Sequence, residues 1–279
     1  MGAKLIGKPE RVIAVLAICL AIVITLLYIH TRERKLNGLL VDLELAAPDP
    51  SRHGQLQHVL THELHEAPSL KKYHMTLNYV HFTELTTKDL DPGEVDFVIL
   101  SPQSTPWYKY SGDAGQKLDL AKKLIRDIVL GGELPILGIC GGHQFLAMAF
   151  GGCVDFIDPN FVGRYPDTYP KDAESERGEV VIHILRDDRI FSGLADKCDR
   201  FTAMENHYEE VKIVPEPFIN LARSEVSEAQ LIGIPEKPVY GMAFHPERCT
   251  GNANRQTAGE CDGRRILTNF LKMACDKQR

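Results

Sequence analysis

Short apolar runs alternate with amphipathic stretches along most of this chain, as expected of strands buried on both faces and separated by covering helices. Gly38–Leu43 and Glu94–Leu100 read as buried strands, and Asn78–Phe82 as another. Gln55–Glu66 and Lys117–Leu130 read as helices. In the second, Leu118, Ala121, Leu124, Ile125 and Ile128 share one face, and Gly131-Gly132 closes it. Pro135-Ile136-Leu137 then runs as a strand into Gly138-Ile139-Cys140-Gly141-Gly142, and the apolar stretch Phe145–Phe150 can start a helix. Further strands are predicted at Glu179–Leu185, Arg200–Met204, Pro215–Ser224, Leu231–Ile234 and Val239–Phe244. Arg264–Ala274, with Ile266, Leu267, Phe270 and Leu271 on one face, forms a terminal helix. Pro, Asp, Asn and Gly mark Asp155–Asp172 and Cys249–Asp262 as irregular. The order predicts an α/β fold: a three-layer, parallel-core sheet with helices on both faces, plus a small antiparallel part.

One stretch has no periodicity. Val12–Ile29 carries no charge and is rich in Ile, Leu, Val and Ala. As a helix it would span about 27 Å, near the lower limit for a bilayer. No small-x-small site follows, so an uncleaved single-pass anchor is expected rather than a signal peptide. The resulting division is a tail at 1–11, a transmembrane anchor at 12–29, a juxtamembrane linker at 30–37 and one domain at 38–279. Lys4, Lys8 and Arg11 on one side balance Arg32, Arg34 and Lys35 on the other, so charge does not orient the anchor.

Composition narrows the partners. A 279-residue chain with 44% hydrophobic residues can bury a full core. The net charge of -6, with no strongly basic stretch, argues against nucleic acid. The seven cysteines include no C-x-x-C pair and do not form a disulfide framework, although a loop-closing Cys249–Cys261 bridge stays open. His58, His62 and His65 fall on one helical face, with His53, His74 and His81 nearby. No cysteine or second ligand pair completes a tetrahedral set, so no metal is assigned.

The chemistry concentrates in two places. Gly138-Ile139-Cys140-Gly141-Gly142 sits between a strand and a helix, the arrangement of a nucleophile elbow: small flanking residues let the chain bend and lift one side chain to the sheet's carboxyl edge. A thiol there lies near a helix N-terminus, which favours thiolate, and the Gly141 N–H points to where an oxyanion would form. The second place is His245-Pro246-Glu247, at the end of the Val239–Phe244 strand. A cysteine nucleophile needs an imidazole base, and the imidazole needs an acceptor that fixes its tautomer. Proline holds the backbone extended, so Glu247 can reach back to His245.

Gly138-Ile139-Cys140-Gly141-Gly142-His143-Gln144 together with Phe244-His245-Pro246-Glu247 resembles a class I glutamine amidotransferase domain. Ser175–Gly178 with Asp187–Leu194 resembles the GMP-synthase type within that class. The resemblance covers about Gly38 to Lys272. It implies a flavodoxin-like sheet and hydrolysis of the glutamine side-chain amide by Cys140, His245 and Glu247 without a cofactor. It also implies that Gln144 helps fix the elbow and the substrate, and that His207 and Tyr208 line the glutamine pocket. The family's Gly-Gly-Pro-type loop after the third strand is replaced here by Ser101-Pro102-Gln103-Ser104. Pro102 has no N–H, so the second oxyanion donor falls to Gln103 or Ser104.

Three functions fit these residues. The first is a glutaminase supplying ammonia to a separate synthetase, since nothing resembles a nucleotide-binding P-loop. The second is a stand-alone hydrolase of γ-glutamyl amides or peptides. The third is a membrane-anchored binding or regulatory protein with little turnover, a reading prompted by the altered loop at Ser101–Pro106. A cytoplasmic catalytic domain is expected, because glutamine and a reduced thiol occur together there.

Overall fold

The computed structural model describes residues 15–21, 34–67, 70–132, 134–194, 199–249 and 262–276. Among them, eleven strands and four larger helices form a mixed α/β structure around a nine-stranded sheet of order β2-β1-β3-β4-β11-β10-β9-β6-β7. The first five strands in that order are β2 (Tyr73–His81), β1 (Arg34–Asp42), β3 (Phe97–Leu100), β4 (Ile136–Ile139) and β11 (Val239–Met242), and they run parallel. The sheet continues antiparallel through β10 (Leu231–Gly233), β9 (Ile219–Arg223), β6 (Glu176–Ile184) and β7 (Arg200–His207). The expected small antiparallel part is therefore mostly an extension of the main sheet. A separate two-stranded sheet pairs β5 (Cys153–Phe156) with β8 (Glu209–Ile213).

Alternation along the central strands explains the layers. Leu36, Leu40, Phe97 and Ile99 face one core, shared with Leu56 and Leu60 of α1 (Gly54–Glu66) and with Ile266, Leu267 and Phe270 of α4 (Gly263–Asp276). Leu39, Val41, Val98 and Leu100 face the other. There Leu118, Ile125 and Val129 of α2 (Gly112–Gly131) pack beside Phe145 and Leu146 of α3 (Gly141–Ala149). Strands buried on both faces give the continuous apolar runs seen in the sequence.

Two expectations at the N-terminus change. β1 begins at Arg34, inside the expected linker, because Arg34–Asp42 pairs residue by residue with Tyr73–His81. The single-pass membrane anchor is not upheld either. No helix among the described residues is long and apolar enough to cross a membrane. The helical stretch at 15–21 would rise only about 10 Å, and the rest of 12–29 lies outside the described residues.

Candidate active site

The site is built at the carboxyl ends of β4 and β11. These strands are parallel neighbours, with Met242 opposite Ile139, so the turns that follow them share one edge of the sheet. This pairing joins two motifs that are far apart in sequence. Cys140 follows β4 with φ 49° and ψ -102°, a left-handed conformation that non-glycine residues adopt at strained functional turns. Its N–H donates to the Met242 carbonyl at 2.8 Å. The flanking glycines are required by close approach: a Cβ on Gly138 would run into the Gly142 carbonyl, and one on Gly142 into the Leu100 carbonyl. The elbow expected from the sequence is present.

His245 lies beyond β11, its N–H bound to the Met204 carbonyl of β7 at 2.7 Å. A short 3-10 turn, Pro246–Arg248, folds Glu247 back so that His245 Nδ1 meets Glu247 Oε1 at 2.6 Å. Both residues are buried. Gln55 Nε2, from the first turn of α1, donates to the Glu247 carbonyl at 2.9 Å and braces that turn. On the opposite side, Nε2 of His245 has no partner at strict hydrogen-bond geometry. The Cys140 sulfur acts on it chiefly through charge. Burial alone would lower the His245 pKa, but Cys140 and then Glu247 outweigh burial and raise it to about 10.

Cys140, His245 and Glu247 line one cavity of about 400 Å³, together with Gln103, Gln144, His207 and Tyr208. Seven of the eight expected site residues thus converge. The eighth, Gly141, is buried as the first residue of α3, where its N–H is one of the donors a helix leaves without an intrahelical partner. Gln144 is fixed at both ends of its amide: Oε1 accepts from Trp107 Nε1 at 2.6 Å, and Nε2 donates to the Glu209 carbonyl at 2.8 Å.

His207 plays a deeper part than lining the pocket. Its Nδ1 donates to the Glu209 carbonyl at 2.9 Å, which turns Nε2 toward Glu176 and Glu205, each 3.2 Å away and buried. Burial would lower the His207 pKa, but the two carboxylates raise it well above its ordinary value; burial raises that of Glu205. Among the described residues, these three are the group whose donor atoms could hold a metal ion, and a proton on Nε2 satisfies the same geometry. The group does not include any described residue of the histidine-rich stretch from His53 to His81. There His53 binds Asp42 at 3.0 Å and His81 binds the Glu44 carbonyl at 2.8 Å, while the side chains of His62 and His65 lie outside the described residues.

Of the rim, the sequence pointed to Tyr208 but not to the residues around it. Tyr169 stacks on Tyr208 with ring centroids 4.7 Å apart, and Arg177 lies over the Tyr208 ring and donates to its hydroxyl. Tyr169 also donates to Glu209 at 2.7 Å. Burial raises the Glu209 pKa to about 7, although this hydrogen bond opposes the shift. Glu44, Arg52, His53, Gln55 and Arg248 complete the walls. These residues come from segments far apart in the chain, and apart from Tyr208 none of them was expected at the site. Just beyond the site, Cys249 is disulfide-bonded; Cys261, the partner left open in the sequence, lies outside the described residues.

A strained cysteine elbow on an open, parallel-core sheet, facing an imidazole held by a carboxylate, defines an α/β protein with a Cys–His–Glu constellation. The family model for class I glutamine amidotransferases matches residues 53–259, and the chain belongs to that family. A curated relative, the glutamine-hydrolyzing GMP synthase subunit of Methanosarcina barkeri, is 34% identical over 208 residues, covering 72% of this chain and 94% of its own length. The subunit of the same name from Methanosarcina acetivorans is 32% identical, covering 68% and 79% respectively. Among solved structures, the glutaminase domain of Trypanosoma brucei CTPS with bound acivicin superposes with TM-score 0.61 at 13% identity, covering 86% of this chain and 94% of that one. A glutamine amidotransferase from Thermotoga maritima gives 0.55 at 18%, covering 87% and 83%. At these identities the structures establish the fold alone.

Proposed function

We propose that the chain is a GMP-synthase-type glutaminase in which Cys140 is the nucleophile, His245 the proton carrier and Glu247 its orienting partner. The ammonia released is passed to a separate synthetase. The observation that carries this reading is the left-handed turn at Cys140, which sets a buried thiol in a cavity opposite an imidazole already bound to a carboxylate.

The Cys140 thiolate attacks the side-chain carbonyl carbon of glutamine, and the electron pair moves to oxygen. Amide N–H groups of Gly141 and the turn at Gln103 stabilise the oxyanion. As the oxyanion collapses, the C–N bond breaks, protonated His245 gives its proton to the leaving nitrogen, and ammonia departs. The γ-glutamyl thioester then takes up water. His245 removes the water's proton as the oxygen adds, and collapse returns the sulfur as thiolate and glutamate as product. Glutamine and water become glutamate and ammonia. Glu247 remains charged throughout and stabilises the imidazolium. Gln144 and Tyr208 shape the pocket; His207 supports it from beneath.

The test is ammonia release from glutamine by the purified protein, alone and with an ATP-dependent synthetase of the GMP-synthase type. Activity is expected, and Cys140→Ala should remove it. An electrophilic glutamine analogue should label Cys140 stoichiometrically. Absence of both activity and labelling, with the synthetase present, would overturn the assignment.

A further inference from the structure

We propose that Glu44 is a positioning residue for amide cleavage, holding the glycine-free turn after β3 so that the Gln103 N–H stands beside Gly141 as second oxyanion donor. The inference rests on the role given above to Cys140, and it explains how a turn without the flexibility of glycine reaches that place.

Glu44 lies just beyond the end of β1 and is buried. One carboxylate oxygen, Oε2, accepts from Ser104 N at 2.8 Å and from Ser104 Oγ at 2.7 Å. The other accepts from Thr105 Oγ1 and from Leu45 N, the latter at 2.9 Å. On the near side of the turn, Ser101 N donates to the Val41 carbonyl at 3.0 Å, and Leu43 N donates to Ser101 Oγ at 2.9 Å. Gln103 is therefore bracketed by ties to the β1 end on both sides, while Pro102 and Pro106 restrict the backbone around it. Its nitrogen lies 2.9 Å from where a Cβ on Gly141 would stand. Among the described residues its N–H has no protein acceptor. The brackets need an anion. Burial would raise the Glu44 pKa, but the hydrogen bonds from Ser104 and Thr105 lower it below the ordinary value. A neutral amide in its place would present a donor to the Ser104 N–H or lose the Thr105 contact.

The experiment compares wild type with Glu44→Gln and Ser104→Ala, measuring kcat and KM for glutamine and the rate at which iodoacetamide alkylates Cys140. Alkylation passes through no oxyanion, so it reports the thiolate alone. For Glu44→Gln we expect kcat to fall on the order of 10- to 100-fold, short of complete loss of an oxyanion donor, with KM and alkylation within about threefold of wild type. Ser104→Ala, which keeps the N–H contact, should lose less. Should Glu44→Gln fail to fold, the Ser104→Ala, Thr105→Val double variant replaces it, with the same expected pattern. A kcat within about twofold of wild type, or equal losses in kcat and alkylation, would overturn the positioning role while leaving Cys140 as nucleophile. Failure of wild type itself to turn over or be labelled would overturn both.

Discussion

Replacing Glu247 by Gln isolates charge from shape at the buried pair that orients His245. The amide has nearly the carboxylate's volume and can still accept the Nδ1 hydrogen bond, which spans 2.6 Å between two buried side chains. What is lost is the negative charge opposite an imidazolium. A hydrogen bond to an ionised group contributes about 1.5–3 kcal/mol against about 0.5–1.5 for a neutral one. The difference, about 1.5 kcal/mol, corresponds to roughly a tenfold loss in kcat, and poor solvent screening at this depth pushes it toward 100-fold. Arg248, 3.9 Å from the same oxygen but partly exposed, contributes little to this balance. The pH dependence gives a sharper test. His245 is held up to about 10, above its ordinary 6.5, so the stability it contributes is fully present below about 6.5 and is lost as pH rises through about 10. Removing Glu247's charge should lower the alkaline limb of the kcat profile and narrow the stability gap between wild type and variant as pH rises toward 10. A glutamate-release assay across pH 6–10, paired with urea denaturation, measures both. A Glu247→Gln enzyme within threefold of wild type, with an unmoved alkaline limb, would refute the reasoning.

Two other perturbations probe the frame. Gly142→Ala drives a Cβ into the Leu100 carbonyl, so the elbow must shift; we expect a loss of about 1–3 kcal/mol in stability and on the order of 100-fold in kcat, read by thermal melting and glutamine turnover. Glu209→Gln removes a buried carboxyl whose pKa burial raises to about 7, from an ordinary 4.5. The wild-type stability associated with this group is present below about 4.5 and lost as pH rises through about 7. The variant should therefore be more stable than wild type at pH 8, on the order of 1–3 kcal/mol, with the gap closing by pH 4.5 in urea titrations.

The parts of the site that could be read from the chain are those whose physics is local. Two glycines around Cys140, a strand before it and a helix after it determine the elbow within a few residues. Proline between His245 and Glu247 signals the carboxylate that orients the imidazole, although the backbone there is not extended as expected: Pro246 starts a 3-10 turn that folds Glu247 back. Limits appeared wherever pairing is nonlocal. Nothing in Glu179–Leu185 reveals that β6 joins the main sheet through β9 rather than standing apart, because antiparallel partners are chosen by distant strands. β1 extends back to Arg34 through polar Lys35 and Asn37, which no hydrophobic pattern would include. Apolar content alone gave Val12–Ile29 the reading of a membrane anchor, a reading the described structure does not support. The stack of Arg177, Tyr208 and Tyr169 depends on β6, the junction between β7 and β8, and a loop meeting at the rim.

The turn after β3 shows how a local departure can mislead. Read in sequence, Ser101–Pro106 lacks the glycines expected at an oxyanion loop, and that loss prompted the reading of a protein with little turnover. Glycine, however, supplies only conformational freedom, while the chemistry needs an N–H at a particular point. A stiff turn meets that need if something fixes it there, and serine and threonine provide hydroxyl donors that a glycine loop cannot. Those donors converge on Glu44, a carboxylate some sixty residues earlier in the chain. The departure from the family loop and the acid at the end of β1 are two halves of one arrangement, and either half read alone points away from catalysis.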